Sequence, residues 1–202
     1  MTLDRLRPLA NRAIAPFVAL ASRVGLTPNG VSVLAIVVAS GAGLCFYAAR
    51  EEPLLYVAGA VLVFLNGWLD LLDGALAREL SVDSAAGDLL DHVLDRYADI
   101  VIIAGLAGGV GRYAVGIAAV TGVLMTSYLG TQAQAVGLDR VYGGALGRAD
   151  RLALISVVTV GMAVVDGPVQ GLTLVGWLLV VLAVVGHLTA FQRFYHAMRS
   201  LS

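Results

Sequence analysis

A chain of 202 residues with 59% hydrophobic and only 13% charged side chains, at a mean hydropathy of +0.87, lacks the polar surface that a soluble domain of this size needs. A net charge of −1, with arginine in place of every lysine, gives nucleic acid no electrostatic footprint. The single cysteine, Cys45, allows neither an internal disulfide nor a thiolate zinc site and reads as packing. Long apolar runs recur throughout, and at about 20 residues per span the length holds roughly six transmembrane helices with short loops. The expectation is a single all-α domain over 1–202, multi-pass in the cell membrane.

Residues 1–26 carry Leu3, Leu6, Ala10, Ile14, Phe17 and Ala21 at helical spacing, with Arg5, Arg7, Arg12 and Arg23 between them and interruptions at Pro8 and Pro16. This pattern predicts an amphipathic segment lying in the membrane surface. Its arginines are spread along it rather than gathered before an unbroken apolar core, so it reads as a retained segment and not as a signal peptide. After Thr27-Pro28-Asn29, spans are expected at 31–49, 54–77, 87–108, 113–136, 149–166 and 169–191, which makes 27–202 a six-helix core. With the N-terminus in the cytoplasm, Arg50 and Arg112 fall outside. Arg5, Arg7, Arg12, Arg23, Arg78, Arg140, Arg148, Arg151, Arg193 and Arg199 fall at inner ends or loops, as the positive-inside bias requires.

The second and third spans contain Asp70, Asp73, Asp91, Asp95 and Asp99, although a carboxylate near a bilayer centre costs about 2.5–3.5 kcal/mol on insertion scales. Asp70 and Asp73 lie one helical turn apart, sharing a face with Gly74 and Ala77. Gly87, Asp91 and Asp95 step by four along the next helix. Four acids are therefore expected to converge near the cytoplasmic ends, in a polar cavity kept open by small residues. With no histidine or cysteine suitably placed, such a set suits hard cations, Mg²⁺ or Mn²⁺, and phosphate chemistry. Arg78, one turn beyond Gly74, is placed to meet a phosphate. Buried acids also serve ion or proton transporters, so the acids alone leave that class open.

The order Asp70-Leu-Leu-Asp73-Gly74-Ala-Leu-Ala77-Arg78, eight residues, Gly87, three residues, Asp91, three residues, Asp95 resembles the signature of the CDP-alcohol phosphotransferase family at every fixed position. The whole plan is similar too, since that family has six transmembrane helices, an amphipathic N-terminal helix and usually a homodimeric assembly. The resemblance implies transfer of a phosphoalcohol from a CDP-linked donor to an acceptor hydroxyl, with release of CMP at the cytoplasmic leaflet. It implies that Asp70, Asp73, Asp91 and Asp95 hold one or two Mg²⁺ ions and that Asp95 is also the general base. It further implies donor contacts from Gly74, Arg78 and Ser84, and a cytidine-end segment at Asn29, Gly30, Val31 and Ser32. The structural reading of Pro28-Asn29 as an ordinary helix start stands beside that last assignment.

Thr126-Ser127-Tyr128, followed by Gly147-Arg148-Ala149-Asp150-Arg151-Leu152, resembles the branch that makes phosphatidylinositol phosphate or its archaeal ether-lipid counterpart from inositol 1-phosphate. The resemblance gives Arg148, Arg151 and Arg193 the acceptor's phosphate. Gly147 stands where that branch has a glutamate, and Leu129-Gly130-Thr131-Gln132 stands where it commonly has a lysine and an arginine. Glycerol 3-phosphate therefore remains an alternative acceptor, and positive-inside anchoring an alternative role for Arg148 and Arg151. Asp99 continues the acidic stripe outside the motif and is expected to pair helices or join a polar network. His92, His187 and His196 stand in no catalytic constellation.

Overall fold

The computed structural model describes residues 7–82, 84–139, 146–165 and 167–201; Arg5, Arg140 and the first six residues of the expected interfacial segment lie outside them. Seven helices occur among the described residues, with no strand: α1 (Arg7–Arg23), α2 (Pro28–Ala48), α3 (Leu54–Leu80), α4 (Ala85–Gly109), α5 (Tyr113–Ala135), α6 (Arg148–Gly161) and α7 (Leu174–Leu201). Local chemistry sets several of the boundaries. The Thr27 hydroxyl accepts from the Gly30 N–H, and Pro28, whose missing N–H costs nothing in a first turn, opens α2. Ser84 caps α4 in the same way through the Gly87 N–H.

Three expected boundaries move. The last helix was placed at 169–191, yet α7 begins at Leu174 and runs to Leu201. The helix before it ends at Gly161 rather than 166. Gly167, Gln170 and Gly171 all adopt positive φ, and Val169 and Leu172 pair as an isolated antiparallel bridge, so this stretch, Gly-Pro-Val-Gln-Gly in sequence, is a turn rather than the start of a helix. At the other end, α1 runs through Pro16 without a break. Ile14, Val18 and Ala21 pack there with Val31, Ala35, Leu69, Leu72 and Leu76, and this burial offsets the helix hydrogen bond that a proline removes.

Helices α2, α3, α5 and α7 are long and apolar enough to cross a membrane. The acids of α4 lower its hydropathy, and α6, at 14 residues, spans only about 21 Å of a hydrocarbon core about 30 Å thick. The main core lies where α2 packs on α3 and α4, α4 on α5, α3 on α6 and α5 on α7. Phe46, Val63, Ile102, Leu106, Val123, Val175 and Leu179 fill it. Val37, Leu44, Phe64, Ile117, Val157 and Val184 face outward and exposed, the distribution expected of a bundle whose solvent is lipid.

Without a strong hydrophobic force between helices in lipid, small residues let backbones approach. A Cβ at Gly105 of α4 would overlap the Gly43 backbone of α2, and one at Gly186 of α7 would overlap Gly122 of α5. The first contact draws α4 against α2 and the second draws α7 against α5. Gly105→Ala is therefore expected to lower stability by about 1–3 kcal/mol, the usual cost of overpacking. Gly41→Ala, whose methyl would reach only ordinary contact at 3.4 Å from Leu62, is expected to change little. Thermal unfolding of the two variants in detergent measures the difference.

Candidate functional site

Among the described residues the acids of the sequence motif and the arginines that meet them gather toward one end of the bundle, formed by the start of α2, the end of α3, the start of α4, the end of α5, the start of α6 and the end of α7. Asp70 lies about 15 Å along the axis from the end of α3, and Asp91 and Asp95 lie about 9 and 15 Å from the start of α4. Carboxylate oxygens of Asp70, Asp91 and Asp95, all half-buried, lie within 4.8 Å of one another. An all-oxygen set of this spacing fits a hard divalent cation after small side-chain rotations, and it fits zinc or copper poorly.

The sequence led us to expect four acids at this point, and Asp73 is not in the group. It is buried, one oxygen accepting from the Ser32 hydroxyl at 2.7 Å and the other from the Gly74 N–H at 2.6 Å. Ser32, expected at the cytidine end, is thus bonded to a carboxylate of the motif. Val31, also expected there, is 1% exposed and packs in the apolar core beside α1, so its side chain has no access to a ligand. Asn29 fares differently. A Cβ at Gly87 would touch its carboxamide oxygen at 3.5 Å and the Ser84 hydroxyl at 3.2 Å, so the starts of α2 and α4 bring Asn29, Ser84 and Gly87 to one place.

Arg78 lies near Gly74 and borders a groove of about 360 Å³ between α1 and α3, lined also by Ile14, Ala15, Val18, Ala19, Ala75 and Glu79. The α1 side of the groove is apolar, and Arg78 and Glu79 make the α3 side charged.

The three arginines expected at an acceptor phosphate are each engaged. Arg148 reaches Asp70 Oδ1 with Nη1 at 2.6 Å and Asp95 Oδ1 with Nη2 at 2.7 Å, bridging α3 and α4. Arg151 pairs with Asp99 at 2.7 Å, both buried, and this is the helix pairing expected of Asp99. Arg193 donates to the Thr126 carbonyl at 2.7 Å, while the Thr126 hydroxyl donates to the Gly186 carbonyl. Arg151 and Thr126 line a shared cavity of about 10 Å³, room for about one water rather than for a sugar phosphate.

Two participants were missed in the sequence. Asn66, fully buried one turn before Asp70, donates to the Ala35 carbonyl at 2.9 Å and accepts from Arg148 at 3.3 Å. Arg96 lies 3.5 Å from Asp95 and 3.7 Å from Asp99, and donates to the Ser127 hydroxyl. A polar residue four positions before Asp70 on the same helical face was the available signal for Asn66. Arg96 follows a motif aspartate and gave no signal in its spacing.

A buried ion pair broken on one side leaves an uncompensated charge. Asp99→Ala is therefore expected to destabilise the protein by about 3–5 kcal/mol, and pairing Asp99→Leu with Arg151→Met is expected to recover most of that loss. Unfolding midpoints of the single and double variants read this out.

The family model for CDP-alcohol phosphatidyltransferases matches residues 25–189. The archaetidylinositol phosphate synthase of Methanothermobacter thermautotrophicus is 31% identical, over 98% of this chain and 95% of its own. The phosphatidylinositol phosphate synthase of Streptomyces avermitilis is 33% identical, over 78% of this chain and 65% of its own. The crystal structure of the phosphatidylinositol phosphate synthase of Mycobacterium tuberculosis with CDP-DAG bound superposes with a TM-score of 0.75 at 28% identity, covering 92% of this chain and 94% of that one. The same enzyme has been solved in complex with manganese and citrate, where the match covers 91% of this chain and 88% of that one.

Proposed function

The chain belongs to the CDP-alcohol phosphatidyltransferase family, and on that premise we propose that it transfers a phosphatidyl-type group, diacyl or archaeal diether, from a CDP-lipid to a hydroxyl of inositol 1-phosphate, releasing CMP. Family membership sets aside the transporter reading of the buried acids. The observation that carries the chemistry is the meeting of Asp70, Asp91 and Asp95 from two helices, with arginine guanidinium groups against them. The relatives named for inositol phosphate lipids support the acceptor, over the alternative of glycerol 3-phosphate.

Asp70, Asp91 and Asp95 would hold Mg²⁺ or Mn²⁺, as one or two ions. Asp73 is the fourth carboxylate, through the lone pairs that Ser32 and Gly74 leave free. When bound, the metal supplies positive charge against the diphosphate and the departing CMP. Asp95 takes the proton of the acceptor hydroxyl, whose oxygen bonds to the lipid-side phosphorus as the bond from that phosphorus to the CMP oxygen breaks. Arg78 meets the donor phosphates in the α1–α3 groove, whose apolar α1 side suits a lipid chain. Asn29 and Gly30 at the start of α2, with Ser84 and Gly87 at the start of α4, take the cytidine end, and Gly74 admits the donor closely. Arg148 takes the acceptor phosphate, which needs a cationic partner once out of water. Arg151 and Arg193 back it from α6 and α7.

In the membrane, α4 makes a fifth span and α6, with the segment that follows it, a sixth; α1 lies in the interface, and the acid cluster faces the cytoplasm. The protein is a homodimer in this reading, in the manner of the family.

Purified protein with Mg²⁺ and CDP-lipid is expected to release CMP with inositol 1-phosphate several-fold faster than with glycerol 3-phosphate; the reverse preference overturns the acceptor. Asp95→Asn is expected to lower kcat by about 10²–10⁴, the range for loss of a general base. Arg78→Ala is expected to raise the KM for CDP-lipid more than that for the acceptor, and steady-state kinetics with each substrate varied in turn separates the two.

A further inference from the structure

Arg148 is the first residue of α6, where the positive end of the helix dipole disfavours a cation. Its position is set by the acids instead. Nη1 lies 2.6 Å from Asp70 of α3 and Nη2 lies 2.7 Å from Asp95 of α4, and these are two of the three carboxylates whose oxygens converge. Asn66, anchored on the Ala35 carbonyl, holds Nη2 from a third direction. The seat is well placed for charge and poorly made for hydrogen bonds. Nη1 is out of line for a bond to Asp70, and Nε, also buried, has no hydrogen-bond partner among the described residues.

We propose that Arg148 is a resident counter-cation of the acid cluster, seated on Asp70 and Asp95 in the metal-free protein and displaced from them by the divalent ion. The proposal rests on the metal reading given above and adds that the two cations contend for one seat. Like charges cannot share two carboxylates at these separations without mutual repulsion, and a divalent ion outbids a guanidinium whose donors are half satisfied. Displacement leaves the fork of Arg148 beside the site with its donors open, in position for an anion such as the acceptor's phosphate. In the metal-free protein the same fork keeps Asp70 and Asp95 from repelling one another.

The test uses the full chain in detergent, free of nucleotide and acceptor, with Mn²⁺ as the probe. Mn²⁺ binding is measured by electron paramagnetic resonance and unfolding by thermal scans. Arg148→Gln is expected to bind Mn²⁺ roughly ten-fold more tightly than the unaltered chain, because a competing cation is gone. Without metal, Arg148→Gln is expected to unfold at a lower temperature, and at saturating Mn²⁺ the gap is expected to close, because Arg148 no longer holds the acids in either protein. Unchanged or weaker Mn²⁺ binding, or a gap that persists at saturation, overturns the proposal. If Arg148→Gln does not fold, Arg148→Lys retains a charge without the fork and is expected to bind Mn²⁺ between the two; affinity equal to the unaltered chain overturns it. Failure of the transferase reading is distinguishable, since it appears as absent CMP release and leaves the competition between Arg148 and Mn²⁺ intact.

Discussion

Carboxylates packed between helices of an apolar bundle repel one another and are costly to desolvate, and only positive charge or hydrogen-bond donors close at hand offset this. Asp70, Asp91, Asp95 and Asp99 all stand under that constraint, and much of the polar architecture answers it. Arg148 spans Asp70 and Asp95, Arg151 neutralises Asp99, Arg96 leans on both Asp95 and Asp99, and Ser32 with the Gly74 N–H satisfies Asp73. Arg148 and Arg151 come from α6 and the acids they meet from α3 and α4, so charge compensation also ties these three helices together.

Close backbone approach makes this network possible. Gly43 against Gly105 seats α2 on α4, with Asn29 beside Gly87 at the start of the two helices. Gly122 against Gly186 seats α5 on α7, and from there Thr126 offers its carbonyl to Arg193. The catalytic end of a family enzyme thus depends on contacts far along the helices from the acids. In lipid, where apolar burial between helices brings little, such small-residue seams and the polar links between helices carry the packing.

The division of labour among the arginines follows from the same electrostatics. Arg151 faces a buried acid outside the motif and has the character of a structural partner. Arg148 faces motif acids and retains unsatisfied donors, the character of a group with more than one anionic partner. Arg78 stands apart from both, in a groove that sets an apolar α1 side against a charged α3 side, where a lipid's chain and phosphate have matching surfaces.

Sequence alone determined what local periodicity controls. The six apolar segments became helices close to where they were expected, because hydropathy and caps such as Thr27 and Ser84 act over a few residues. Asp70, with Asp91 and Asp95, came to one end because spacings of four keep side chains on one helical face. The turn at 167–171 escaped that reading because apolar runs flank it on both sides, although Gly167, Pro168 and Gly171 mark it. Tertiary structure decided the rest: that Asp73 turns to Ser32, that Val31 is core, that Asn66 reaches Arg148, and that Arg148 sits among the acids while Arg151, three residues on, pairs with Asp99. Residues distant along the chain meet only when helices choose their neighbours and their rotation, and those choices are made by packing and by charge across the bundle rather than by any pattern within a single segment.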